Sequence, residues 1–180
     1  MKFKESIEIN TKISIPPELK DHLTFLSTCK ISPREEILFD YAFRLIALQI
    51  QSGDPIPPMV HLNWAVIDCD SLQLQFDSKA QYGCHISYVF FPIHKWRSVR
   101  LKDIAVLACI IEEFCHGLWI ISDEMLVKQK VLAILNRDEK INVSFDDLYV
   151  VDDSDLPALK KNITVRFTLP SSPQSQSSNV

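Results

Sequence analysis

The chain has 180 residues, 47% of them hydrophobic and 23% charged, which is enough apolar side chain for one sizeable core and too little length for two domains of ordinary size. Nineteen Lys and Arg against 23 Asp and Glu give a net charge of −4, which removes the overall attraction that nucleic-acid and anionic-membrane binders carry. Three glycines exclude P-loops and Gly-rich dinucleotide turns, because those need several glycines at fixed offsets.

The N-terminus, Met1-Lys2-Phe3-Lys4-Glu5-Ser6, carries charges where a secretory signal needs an apolar stretch, so a cytoplasmic protein is expected. Residues 5–15 alternate Ile7, Ile9, Ile13 and Ile15 with polar neighbours and read as an edge strand ended by Pro16-Pro17. Ser32-Pro33-Arg34-Glu35 is a helix start with a capping box, and it predicts a helix over 33–51 with Ile37, Tyr41, Leu45 and Leu48 on its inner stripe. Gly53-Asp54-Pro55 ends it. Residues 61–76 read as two strands turning at Asp68-Cys69-Asp70-Ser71. The run 85–93 is apolar on both faces and is expected inside a covered sheet.

A short basic connection, His94-Lys95-Trp96-Arg97, leads to the strongest helix, 101–119, with Ile104, Leu107, Ala108, Ile111, Phe114, Cys115 and Leu118 on one arc. Gly117 marks a break near its end, and Ser122-Asp123-Glu124 caps a further helix over 123–136. Strands are expected at 141–145 and 163–169, joined by an acidic loop. Residues 170–180 are Ser, Pro, Gln and Asn with little to bury and are expected to be a disordered tail. The pattern predicts a single α+β domain over 1–169, a small mixed sheet against two or three helices. No stretch approaches the roughly 20 apolar residues that cross a bilayer. Cys29, Cys69, Cys84, Cys109 and Cys115 form an odd set with no C-x-x-C pair, which suits reduced, mostly buried thiols.

One constellation can carry chemistry. Glu112-Glu113-Phe114-Cys115-His116 sets Glu112 and His116 four residues apart, so both face one side of the helix and can aim two donors at one point. A third metal ligand is sought beyond the helix break at Glu124, with Asp123 and His94 as alternatives. The same residues also suit a solvated helix face, with His116 favoured near a helix C-terminus by the dipole.

A buried strand followed by a long apolar helix carrying E-E-F-C-H resembles the zincin metallopeptidases, whose helix carries H-E-x-x-H. The likeness covers about residues 85–124. It implies a zinc ion, with Glu113 in the place of the general-base glutamate, His116 in that of the second zinc histidine, and Glu112 where the first histidine stands. The longer pattern of that group is missing, with Trp119 in place of its glycine and Ser122 in place of its third ligand. A carboxylate in place of a histidine adds negative charge and lowers the ion's Lewis acidity. The expected function is therefore a catalytically degenerate module that works by contact with a partner protein, with no nucleic-acid or membrane partner. The alternative is a metal-dependent hydrolase on the same residues. Lys95 to Lys102 offers a basic run that suits a solvated loop or a phosphate, and Asp146 to Asp155 an acidic loop without the glycine and terminal glutamate of a calcium hand.

Overall fold

The computed structural model describes residues 12–69, 71–75, 88–149 and 164–168. Its first strand, β1 (Leu23–Ser27), lies where the sequence reading has no element. It runs parallel to β2 (Leu62–Ile67), with Phe25 opposite Trp64. Parallel neighbours need a crossover, and α1 (Pro33–Gln51) supplies it. The expected capping box is formed: the Ser32 hydroxyl accepts from the Glu35 N–H at 3.3 Å, and the Glu35 carboxylate accepts from the Ser32 N–H at 2.7 Å. Gly53, at φ 98°, ends the helix in the left-handed conformation that glycine adopts most easily.

The inner face of α1 differs from the expected stripe. Ile37 is 64% exposed and Leu48 also faces outward, whereas Leu38, Phe39, Phe43, Leu45 and Ile46 are buried and Tyr41 is half-buried. The helix is apolar around much of its girth, so tertiary contact chooses the face. Phe39 and Phe43 meet Phe25 of β1 at ring distances of 5.1 and 5.6 Å, and that contact turns Ile37 away.

β3 (Ser71–Gln75) follows β2 as expected, but the two do not pair. β2 already has a neighbour on each side, β1 on one and β4 (Val89–Pro92) on the other, so β3 pairs instead with β5 (Thr164–Thr168). The class is α+β, and pairing is parallel between all described strands where a mixed sheet was expected. The interior strand is β2, with Trp64 to Ile67 all buried, and β4 borders the three-stranded sheet. The supposed basic connection is a short helix, α2 (Ile93–Ser98), held by Arg97, which donates to Glu35 at 2.9 and 2.8 Å and to the Lys30 carbonyl at 3.0 Å.

α3 (Asp103–Leu118) carries the expected arc: Leu107, Ala108, Ile111, Phe114, Cys115 and Leu118 are buried, and Ile104 packs at the margin. Phe114 reaches Trp64 of β2 with ring centroids 4.2 Å apart. Gly117 does not break the helix. It lets β2 approach, since a Cβ there would lie 2.6 Å from Leu62 Cδ2. α4 (Glu124–Leu135) starts under the Asp123 carboxylate, which accepts from the N–H groups of Met125 at 2.9 Å and Leu126 at 3.0 Å, and it buries Val127, Val131, Ile134 and Leu135.

Two strand expectations fail on described residues. Residues 12–15 are not a strand: the Lys12 and Ser14 N–H groups donate to the Glu36 and Asp40 carboxylates of α1 at 3.2 and 2.9 Å, while Ile13 and Ile15 pack on the core. Residues 141–144 are irregular and lead into a short helix, α5 (Phe145–Tyr149), because the Asn136 side chain takes both backbone groups of Val143, at 2.9 and 3.0 Å. The Asp147 carboxylate is spent on Ser144 at the start of α5, which removes it from any calcium loop. Residues 1–11, Asp152 to Asp155, Cys84 and the tail 170–180 lie outside the described residues. Of the described cysteines, Cys115 is buried, Cys29 and Cys109 are half-buried and Cys69 is exposed, so burial of the thiols is less general than expected.

Candidate metal centre

The end of α3 decides the site. Trp119 closes the helix, Ile120 turns into the left-handed region at φ 54°, and the Ile121 N–H returns to the Cys115 carbonyl at 3.3 Å. This folds the link back so that the Ile121 carbonyl meets His116 Nδ1 at 2.8 Å. A carbonyl can only accept, so Nδ1 carries the proton and donates. When the ring is neutral, Nε2 carries the lone pair, and a backbone partner holds the ring in one orientation, as is usual behind a metal-ligating histidine.

Nε2 faces α4. It lies 3.7 Å from Glu124 Oε1. Glu112, one turn before His116, completes the group, and one donor atom from each of Glu112, His116 and Glu124 lies within 4.8 Å of the others. Ligands at about 2.1 Å on a tetrahedral ion sit roughly 3.4 Å apart, so His116 and Glu124 are near that spacing already and small rotations of the carboxylate arms close the rest. Two carboxylate oxygens and an imidazole nitrogen suit a divalent first-row ion such as zinc, manganese or iron.

Of the residues singled out in the sequence, Glu112, His116 and Glu124 are brought together. The alternatives are not. Asp123 spends its carboxylate on the cap of α4, and His94 belongs to α2, outside the group. Glu113 also lies outside the three-donor group, although it is half-buried close enough for the charges of His116 and Glu112 to act on it.

The electrostatics are those of an acidic cluster short of cations. Burial raises the Glu112 carboxyl, the Glu124 charge raises it further, and His116 and Lys128 only partly oppose this. Burial likewise raises Glu113, His116 opposes, and Glu112 and Glu124 add to the rise. Cys109 is pushed up to about 11, by burial first and then by Glu112 and Glu113. Cys115 is fully buried and pushed up to about 12 by the same cause, so it is a core thiol and no nucleophile. A cation between Glu112 and Glu124 would offset the repulsion between these carboxylates.

α5 walls the flank beside Glu112, a feature sequence reasoning missed because it expected a strand ending at Phe145 and an acidic loop from Asp146 onward. Burial and then the Glu112 charge hold the Tyr149 phenol well above its ordinary value, and its buried hydroxyl has no hydrogen-bond partner among the described residues. Lys128 of α4 lies 5.2 Å above the same ring. The basic run 95–102 is partly committed elsewhere: Arg97 is bound to Glu35 and lies 3.5 Å from Asp68. Among the described residues no helix is long and apolar enough to cross a membrane. Comparison with family models, with curated proteins and with solved structures finds no match.

Proposed function

We propose that the chain is a metal-binding interaction module that holds one divalent ion, zinc in the first instance, on Glu112, His116 and Glu124, and acts by contact with a partner protein. The reading is carried by one observation: three donors from two helices converge within 4.8 Å, with the His116 ring already fixed by Ile121. The zincin likeness enters as a degenerate one. Two carboxylates on the ion neutralise its charge and weaken it as a Lewis acid, and Glu113 stands outside the donor group.

A second reading, a metal-dependent hydrolase with Glu113 as general base, is favoured by the burial that raises Glu113 toward the range useful for proton transfer at neutral pH. In that reading Glu112, His116 and Glu124 would hold the ion, which would polarise a water, and Glu113 would serve as the base beside it. Zinc titration of the full chain followed by calorimetry tests the first proposal. One equivalent is expected, with affinity falling by more than about 100-fold in His116→Ala, beyond what loss of an outer partner costs. Wild-type affinity in that variant overturns the site. Turnover of peptide or ester substrates by the zinc-loaded chain that vanishes in Glu113→Gln establishes the hydrolase instead.

A further inference from the structure

We propose that Tyr149 is a positioning residue for the candidate ligand Glu112, its phenol donating a hydrogen bond to the Glu112 carboxylate when a divalent ion is held. The inference rests on the metal-binding reading above and names what orients the buried acid of that site.

Tyr149 is the last residue of α5, which packs against both α3 and α4. Its ring is held by neighbours: Phe145 of the same helix lies 5.0 Å away between ring centroids, and Lys128 Nζ of α4 stands 5.2 Å from the ring centre. The hydroxyl at the tip of that ring is buried and has no hydrogen-bond partner among the described residues. Buried polar groups in folded proteins are almost always paired, because leaving water without a new partner is costly, so this hydroxyl calls for an acceptor.

The surroundings name it. After burial, the charges that act on the phenol belong to Glu112, Cys109 and Cys115, three residues spaced by three along α3, so the phenol faces one stripe of that helix. The thiols are pushed up to about 11 and about 12 and stay neutral, which leaves them weak acceptors. Lys128 can only donate. The carboxylate of Glu112 is the strong acceptor in this set, and Glu112 also belongs to the three-donor group from which its neighbour Glu113 is left out.

Glu112 has use for a donor. Burial and the Glu124 charge raise its carboxyl, against the ionised form that binds a cation, and His116 and Lys128 only partly oppose them. A hydrogen bond to the ionised form favours it. A carboxylate has two oxygens, so one can serve the ion while the other accepts from Tyr149 and fixes the direction of the first.

The test compares the full chain with Tyr149→Phe, reading zinc affinity by calorimetry, melts in chelator and the ultraviolet absorption of tyrosine. The variant is expected to bind zinc about tenfold or more weakly, as when an outer partner of a metal ligand is lost. Its melting temperature in chelator is expected not to fall, because the hydroxyl removed has no partner to lose. Zinc is expected to shift the tyrosine absorption of the wild type, as a phenol entering a hydrogen bond does, and the variant should lose that shift. Unchanged zinc affinity in Tyr149→Phe overturns this inference alone, as does a lowered melting temperature in chelator, the mark of a purely structural tyrosine. A zinc-induced phenolate band also overturns it, by making Tyr149 a ligand itself. A wild-type chain that takes up no zinc overturns the metal reading and the role of Tyr149 with it.

Discussion

Glu35 closes the capping box of α1 through Ser32 and holds Arg97 of α2 through two guanidinium nitrogens, while itself buried. Burial alone raises its carboxyl, but the bonds from Arg97 and from the Ser32 backbone and hydroxyl outweigh it, so Glu35 titrates below its ordinary 4.5. A carboxyl whose pKa is lowered by folding adds stability that is fully present above the unfolded value and is lost as pH falls through the folded one. Glu35→Gln is expected to cost about 1–3 kcal/mol at pH 7, discounted toward the lower end because Arg97 is partly in solvent. The gap between variant and wild type should narrow once pH drops below 4.5, and urea midpoints at pH 7 and pH 3 measure it. A gap that widens in acid contradicts the sign. Ile120 is the reverse case, a residue whose backbone runs against its local preference: a left-handed conformation costs an ordinary side chain about 1–2 kcal/mol.

α3 is the element on which core and site meet, with Ile111 turned inward and Glu113 half-buried on its flank. Ile111→Ala should cost about 2–5 kcal/mol by opening a cavity, whereas Glu113→Gln should leave the fold intact; thermal melts that rank them the other way contradict this face assignment. The elements legible in the sequence were those with local chemistry. Ser32, Pro33 and Glu35 announce α1, Asp123 announces α4, and the arc of α3 follows from spacing, which is why Glu112, His116 and Glu124 could be read as a group. What failed was set by distant partners. β1 is five residues, Leu23-Thr24-Phe25-Leu26-Ser27, with no alternation or turn to mark it, and it becomes a strand by pairing with β2. The face of α1 depended on Phe25, and the lost strand at 141–145 on one Asn136 side chain. At the site, the anchor on His116 is a backbone carbonyl aimed by the φ of Ile120, which no side-chain pattern encodes.

For the whole molecule, the position of the site matters more than its size. α3 is fixed to the sheet by Phe114 on Trp64 and by the approach of Leu62 to Gly117, and α4 packs against α3 and α1. An ion on Glu112, His116 and Glu124, as proposed, would add a cross-link between these helices, which the chain joins only through residues 119–123. It would also relieve the mutual repulsion of Glu112 and Glu113, whose carboxyls burial and neighbouring acids raise. Binding to the folded state alone raises stability by RT ln(1 + [L]/Kd), about 2.7 kcal/mol at a hundredfold excess over Kd. For a domain of this length that is a rise of roughly 5–10 °C in melting temperature. Scanning calorimetry with zinc and then with chelator should show the rise and its reversal, and His116→Ala should show neither. An equal rise in His116→Ala would mean that zinc is held elsewhere, with the exposed thiol of Cys69 the first place to look, and the α3–α4 cross-link would then have no part in the stability of the fold.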